Sequence, residues 1–216
     1  MRLQTAIDRV SLDHMLTLCV GLIGHTDIVE VGTSLIKDYG IASSVGALRQ
    51  QYPELTILAD IKTGDEGAYE FQRAYEAGAD IATVMGFSAN TTIQACAEVA
   101  RSFGKDFFID LLELPEEAVY HICLSYPEAI LGIHLSFDQH GAGLQNLVKR
   151  STQIIHAAEA VDGKPRRIAV AGGVSLDLIP GLRESGMDTV IVGSAITKAA
   201  DISKAARLFS QACHEV

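Results

Sequence analysis

The chain has 216 residues, of which 48% are hydrophobic and 20% charged, a composition typical of a globular protein and a length typical of one domain. We therefore predict a single domain over residues 1–216. Its 17 Lys and Arg residues against 27 Asp and Glu give a net charge of −10. This acidity argues against nucleic-acid binding, which needs a basic surface.

The apolar and cysteine patterns exclude further classes. The chain has no uninterrupted apolar run of about eighteen residues that could span a membrane, and its charged start, MRLQTAIDRVSLD, lacks the apolar core of a signal peptide. Cys19, Cys96, Cys123 and Cys213 follow no CxxC spacing, so we expect packed, reduced thiols and neither disulfides nor a zinc site. These features predict a cytoplasmic protein that binds no membrane.

Eight short, nearly continuous apolar runs recur along the chain, as is typical of strands that are buried on both faces. They span residues 3–7, 27–31, 56–59, 80–84, 106–111, 129–134, 167–171 and 189–192. Between them, helical periodicity and helix-ending Gly or Pro residues place helices at residues 11–23, 41–51, 66–77, 91–103, 144–161 and 176–185. Ser11 is the candidate N-cap of the first helix.

The alternation of strands and helices predicts an α/β protein, a single (β/α)8 TIM barrel formed by the whole chain. The alternative, an open doubly wound sheet, normally carries GxGxxG after its first strand, where this chain has AIDRVSLD. Barrel enzymes place their chemistry at the carboxyl ends of the strands. The residues that follow each strand are therefore the candidates for function.

Ionisable residues end five of the eight predicted strands: Asp8, Glu30, Asp60 with Lys62, Asp110, and His134. A charge beside a buried strand is costly unless it is paired or binds a metal, so their convergence predicts a functional site. Strand alternation places Asp60 and Lys62 on one side of the chain, where the acid keeps the lysine charged. A purely structural ion pair is the alternative, and Asp65 by itself suits a helix cap.

Glu30 and Asp60 end neighbouring strands, and two such carboxylates suit Mg²⁺, which completes its shell with water and substrate. A pair of solvated acids is the alternative. His134 at a strand end favours an acid–base role, although a lone histidine is often a hydrogen-bonded core group. Of the other histidines, only His140 is near enough to the strand ends to remain a candidate.

Small residues follow the last two predicted strands, in AVAGGVSLD and VIVGSAITKA. Barrel enzymes commonly bind phosphate in these two loops, through backbone N–H groups and the start of a short helix. The Gly172-Gly173 and Gly193-Ser194 pairs therefore predict a phosphorylated substrate. An acidic protein can bind such an anion because local donors and a metal outweigh its net charge.

Several runs of the chain closely resemble 3-hexulose-6-phosphate synthases: DIVEVGTSLIKDYG, ADIKTGDEGAYE, AGADIATVMG, IHLSFDQHGAG, RIAVAGGV and IVGSAITKAAD. These enzymes belong to the orotidine-monophosphate decarboxylase superfamily, which also contains 3-keto-L-gulonate-6-phosphate decarboxylases. The D-x-K-x-x-D signature, here Asp60, Lys62 and Asp65, is specific to the superfamily. The GTSLIK and DQHGAG runs narrow the resemblance to the synthases and decarboxylases, and the likeness extends from residue 3 to about residue 208.

The resemblance implies a lyase, an aldolase that condenses ribulose 5-phosphate with formaldehyde to 3-hexulose 6-phosphate through an enediolate. It implies that Glu30 and Asp60 bind Mg²⁺ and that Lys62 stabilises the enediolate and helps to move protons. It also implies a homodimer with shared active sites, in which Asp65 reaches the site of the partner subunit.

The same resemblance implies roles for the remaining candidates. Asp8 would contact substrate hydroxyls, His134 would act as acid or base on the sugar, and Asp110 would hold a neighbouring polar contact. The phosphate group of the sugar would be held by three residues that follow the last two strands, Gly173, Gly193 and Ser194.

The chain departs from both enzyme patterns near the substrate. Decarboxylases carry arginines where this chain has Phe137 and Ser194, and the absence of both favours the synthase. Synthases usually have Thr-Gly where this chain has Leu135-Ser136. The decarboxylase is therefore the alternative activity, and a non-catalytic sugar-phosphate binder is the second, because the altered 135–137 segment is compatible with lost turnover.

Overall fold

The computed structural model describes residues 1–136, 138 and 143–215, which form a closed barrel of eight parallel strands. The strands are β1 (Arg2–Ile7), β2 (Ile28–Val31), β3 (Ile57–Thr63), β4 (Ile81–Met85), β5 (Asp106–Asp110), β6 (Ile130–His134), β7 (Arg167–Ala171) and β8 (Thr189–Val192). Each strand pairs with the next in chain order, and β8 closes the barrel on β1. The predicted TIM barrel is confirmed. The largest difference is at β3, which continues past the predicted end at residue 59.

Ten helices lie in the described ranges, and they alternate with the strands. They are α1 (Leu12–Leu22), α2 (Thr33–Tyr39), α3 (Ile41–Gln51), α4 (Gly67–Glu76), α5 (Asn90–Phe103), α6 (Glu116–Ser125), α7 (Leu144–Asp162), α8 (Ile179–Glu184), α9 (Ser194–Thr197) and α10 (Ile202–His214). All six predicted helices are present. The one predicted over residues 176–185 is divided into a 3₁₀ turn, Leu176–Leu178, and α8.

Local sequence chemistry sets several helix ends. The predicted N-cap is confirmed, since the Ser11 hydroxyl accepts the backbone N–H of His14. Asp201 caps α10 in the same way, through the backbone N–H of Lys204. Gly104 ends α5 in the left-handed conformation, with φ of 62°. No helix in the described ranges combines the length and apolar character that crossing a membrane requires.

The four cysteines are free thiols, and all of them are buried. Burial is the main reason that the pKa of each thiol is raised, to about 11 for Cys123 and Cys213 and to about 12 for Cys19 and Cys96. The thiols are therefore protonated and packed, as the cysteine pattern predicts.

The apolar core has two layers because successive residues of a strand point to opposite faces. The outer layer lies between the strands and the helices and contains most of the buried residues. The inner layer fills the barrel and consists of Ile28, Leu58, Ile81, Phe108, Ile130 and Ala169. Strands buried on both faces explain why the apolar runs are nearly continuous. The inner layer also lies directly below the residues at the carboxyl ends of the strands.

A glycine in β6 gives the largest inner side chain its space. Gly132 is paired with Asp110 in β5, and a Cβ built on Gly132 would overlap the ring of Phe108. Phe108 can therefore lie across β6 just below the carboxyl end of the barrel. A side chain at position 132 would displace the ring and disturb the base of the site.

We expect Gly132→Ala to lower the free energy of unfolding by about 1–3 kcal/mol, since it overfills the barrel interior. Gly46→Ala is the matched control, because a Cβ built on Gly46 in α3 meets no described atom within 4 Å. That control should raise the free energy of unfolding by about 0.5–1 kcal/mol. Urea unfolding measures both, and equal stability of the two variants would contradict the packing described for Phe108.

Candidate active site

A cavity of about 980 Å³ opens at the carboxyl ends of the strands. It brings together nearly all of the predicted site residues, namely Asp8, Glu30, Asp60, Lys62, Asp110, His134, Gly172, Gly173, Gly193 and Ser194. Asp65 does not line it; its side chain is exposed and accepts the backbone N–H of Glu66. Phe137 and His140 lie outside the described residues. The predicted convergence is thus observed, while the roles of the residues stay predictions.

The Lys62 ammonium lies between two buried carboxylates from different strands. Its Nζ atom is 3.0 Å from Asp60 Oδ2 and 3.3 Å from Asp110 Oδ2. Burial alone would lower the pKa of Lys62, but the charges of Asp60 and Asp110 outweigh burial and raise the pKa above its usual range. The amine is therefore held in its charged form, where it can stabilise a further anion.

Asp110 extends this cluster to the histidine of β6. Its Oδ2 atom is 2.8 Å from Nδ1 of His134, and its Oδ1 atom accepts the backbone N–H of Leu112 at 2.9 Å. Burial alone would raise the pKa of Asp110, but the hydrogen bond and charge of His134, together with Lys62, hold the pKa below its usual range. Asp110 thus orients both the lysine and the imidazole.

The two candidate metal ligands are each held by a neutral side chain. Gln4 Nε2 donates to Glu30 Oε2 at 2.6 Å, and Thr33 Oγ1 donates to Asp60 Oδ2, also at 2.6 Å. Burial, followed by the charge of Asp60, raises the pKa of Glu30 to about 8, although the Gln4 hydrogen bond opposes the shift. Glu30 therefore sits where a negative charge is poorly compensated.

This charge balance tests whether a divalent cation suits the site. Glu30, Asp60 and Asp110 are three buried carboxyl groups; within the described ranges Asp60 pairs with Lys62, and Asp110 pairs with Lys62 and His134. A cation beside Glu30 and Asp60 would offset both the burial of the Glu30 charge and its repulsion by Asp60, which together raise the pKa of Glu30. The described ranges hold no group of three or more His, Cys, Asp or Glu arranged around one point. Two protein carboxylates with water and substrate completing the shell is the coordination that Mg²⁺ accepts.

Asp8 is fixed at the end of β1 by the start of α2. Its Oδ1 atom accepts the hydroxyl of Ser34 at 2.7 Å and the backbone N–H of Ser34 at 3.1 Å. A Cβ built on Gly32 would overlap the Asp8 carboxylate, so the glycine keeps this place open. Asp8 also lines the cavity, so its carboxylate can contact a ligand there.

The loops after β7 and β8 present small residues to the same cavity. Gly172 and Gly173 both have positive φ, 104° and 69°, and a Cβ on Gly172 would overlap the carbonyl of Leu135. Gly193 and Ser194 begin the short helix α9. The structure therefore places the two predicted phosphate loops beside one another, and the lysine that follows α9, Lys198, also lines the cavity.

Sequence reasoning missed the neutral residues that hold the carboxylates. Gln4 and Thr83, whose hydroxyl donates to Asp60 Oδ1 at 3.0 Å, are buried polar residues within strands, and a buried polar side chain needs a partner. Each of these two residues interrupts an apolar run, and that interruption could have identified them as candidates. Thr33 and Ser34 gave no such signal, because they belong to α2, a helix that the sequence pattern did not place.

Comparison with known proteins identifies close relatives over the whole chain. A family model described as the Orotidine 5'-phosphate decarboxylase / HUMPS family matches residues 1–209. The 3-hexulose-6-phosphate synthase of Bacillus subtilis (strain 168) is 32% identical, and the match covers 98% of each chain. The 3-hexulose-6-phosphate synthase of Methylomonas aminofaciens is 34% identical, with 94% of each chain covered.

Solved structures give the same result. The 3-hexulose-6-phosphate synthase from Salmonella typhimurium superposes with a TM-score of 0.88 at 33% identity, over 99% of this chain and 98% of that one. The 3-keto-L-gulonate-6-phosphate decarboxylase from Vibrio cholerae superposes with a TM-score of 0.82 at 25% identity, over 98% of this chain and 96% of that one. Both enzymes thus share this fold throughout.

The raised pKa of Glu30 predicts how stability depends on pH in metal-free buffer. An unfolded glutamate titrates near pH 4.3, whereas folded Glu30 has a pKa of about 8, so the folded chain keeps a proton that the unfolded chain has lost. The free energy of unfolding therefore falls as pH rises through this window. Glu30→Gln has no proton to lose, and its Tm should exceed that of the wild type by roughly 2–4 °C or more at pH 8.

Thermal unfolding in EDTA between about pH 5 and pH 8.5 measures this difference, which should grow as the pH rises. Glu54→Gln, which changes an exposed carboxylate, is the control and should follow the wild type. Parallel Tm curves for Glu30→Gln and the wild type would show that burial does not perturb Glu30.

Proposed function

The chain belongs to the Orotidine 5'-phosphate decarboxylase / HUMPS family and is a lyase, and from this premise we propose that it condenses ribulose 5-phosphate with formaldehyde to 3-hexulose 6-phosphate. The observation that carries the proposal is Lys62, which is held charged between Asp60 and Asp110. Asp110 also binds His134, and the same cavity contains the two glycine loops. Relatives named 3-hexulose-6-phosphate synthase at 32% and 34% identity support this activity over the decarboxylase.

The proposed reaction needs a proton to leave C1 of ribulose 5-phosphate. His134 suits this task because its Nδ1 is bound to the Asp110 carboxylate, which favours a proton on Nδ1 and leaves Nε2 as the base. Loss of the C1 proton leaves an enediolate. The C1 carbon then forms a bond to the formaldehyde carbon, and the formaldehyde oxygen takes up a proton.

Lys62 stabilises the negative charge that develops on the enediolate. Its ammonium is fixed by Asp60 and Asp110 before the substrate binds, so little reorganisation is needed when the anion forms. We propose that Glu30 and Asp60 hold Mg²⁺, which supplies further positive charge at this point. Asp8, with one carboxylate oxygen held by Ser34, is placed to bind a substrate hydroxyl.

The phosphate group of the sugar is proposed to lie in the loops after β7 and β8. Backbone N–H groups of Gly173, Gly193 and Ser194 suit its oxygens, since no side chain separates them from the cavity at the two glycines. We also propose a homodimer, in which the exposed Asp65 carboxylate contributes to the site of the partner subunit.

The activity is tested by measuring formaldehyde consumption with ribulose 5-phosphate and Mg²⁺, beside a sample treated with EDTA. We expect consumption that depends on the metal, and its loss by at least roughly 10²-fold in Asp60→Ala, which removes both a proposed ligand and the partner of Lys62. Asp13→Ala, an exposed carboxylate on α1, is the control and should retain wild-type activity.

Two other experimental results would assign a different function to the chain. Release of CO₂ from 3-keto-L-gulonate 6-phosphate without formaldehyde consumption would assign the decarboxylase, whose structure from Vibrio cholerae shares the fold. Binding of ribulose 5-phosphate without exchange of its C1 protons in D₂O would assign a non-catalytic binder. The proposal requires both C1 exchange and formaldehyde consumption.

A further inference from the structure

The barrel is irregular at the two residues that the proposed chemistry uses most. Ala59 pairs with Ala82 and Thr63 pairs with Val84, so residues 60–62 of β3 lie opposite the single residue Thr83 of β4. A bulge of this kind redirects side chains, and bulges are common next to active sites. The irregular segment contains both Asp60 and Lys62.

The backbone of Lys62 is in an uncommon conformation. Its φ is 50°, in the left-handed region that residues with a Cβ seldom adopt. Such a conformation persists only where neighbouring groups hold it, because it is strained for a residue with a Cβ. The backbone N–H of Lys62 donates to the Thr83 hydroxyl at 2.9 Å, a contact at the strained residue itself.

The same hydroxyl also binds the neighbouring carboxylate. Thr83 Oγ1 is 3.0 Å from Asp60 Oδ1, and the hydroxyl donates there, because a carboxylate can only accept. Thr83 is 3% exposed, so water does not replace either hydrogen bond readily. One buried hydroxyl therefore joins the backbone of Lys62 to the side chain of Asp60.

We propose that Thr83 is a positioning residue, which fixes the bulge so that the Lys62 ammonium and the Asp60 carboxylate face the reacting carbon together. The proposal rests on the proposed function, since it concerns the same site. Thr33 differs from Thr83 in that its hydroxyl bond to this segment goes to Asp60 Oδ2 alone. Thr83 is the residue that couples the carboxylate to the conformation of the lysine.

The test compares Thr83→Val, which keeps the shape and removes the hydroxyl, with Thr83→Ser, which keeps the hydroxyl. We expect kcat to fall roughly 10- to 100-fold in Thr83→Val, with KM for ribulose 5-phosphate within about threefold of the wild type, because the phosphate loops are untouched. Thr83→Ser should keep kcat within about threefold of the wild type.

Thr5→Val is the matched control for a lost hydroxyl in a buried strand. Thr5 is fully buried in β1 and its hydroxyl pairs with Thr26 Oγ1 at 2.9 Å, outside the residues that line the cavity. It should lower stability and leave kcat unchanged. Both valine variants are expected to lose stability. A fall in kcat in Thr83→Val alone therefore distinguishes a positioning role from a general loss of stability.

Backbone hydrogen exchange at Lys62, followed by NMR, tests the proposal without any turnover. The Lys62 amide should exchange at least roughly tenfold faster in Thr83→Val and at the wild-type rate in Thr83→Ser and Thr5→Val. Unchanged exchange in Thr83→Val, unchanged kcat in that variant, or a Thr83→Ser variant as impaired as Thr83→Val would overturn the proposal. If the wild type consumes no formaldehyde, the proposed function fails and the exchange result alone decides the role of Thr83.

Discussion

The ion pairs of Lys62 are the interaction on which the candidate site depends. Its ammonium lies 3.0 Å from a carboxylate on β3 and 3.3 Å from another on β5, and the second carboxylate also binds His134 on β6. These carboxylates are buried, so each would be expensive without the lysine. The lysine therefore lets β3 and β5 bring acids to one place, and the acids in turn keep it charged.

Two adjacent parts of the barrel rim contribute different kinds of residue to the cavity. The strands from β1 to β6 contribute acids, a lysine and a histidine, which suit the proton transfer and anion stabilisation of the proposed reaction. The loops after β7 and β8 contribute glycines and the start of α9, which suit an oxyanion that only has to be held. Because all the parallel strands end on one rim, a single closed sheet supplies both groups of residues.

Sequence reasoning succeeded where local pattern and barrel geometry coincide. Strands buried on both faces are apolar throughout, so all eight could be placed, and their ends located Asp110 and His134 among the candidates. The bulge at Lys62 could not be predicted, because it depends on hydrogen bonds to Thr83 that exist only after β3 and β4 pair. The short helices α2 and α9 were not predicted, because fewer than eight residues give too little helical periodicity. Helices α6 and α10 were not predicted either, although they have 10 and 13 residues.

The burial of the four thiols affects how readily electrophiles can modify the protein. Formaldehyde, the aldehyde of the proposed reaction, is an electrophile, and the thiolate, not the thiol, is the strongly nucleophilic form of cysteine. Each cysteine in this chain is enclosed, with its pKa raised to about 11 or 12, so almost no thiolate exists near neutral pH. The aldehyde of the proposed reaction would therefore meet no exposed, reactive thiolate among these cysteines.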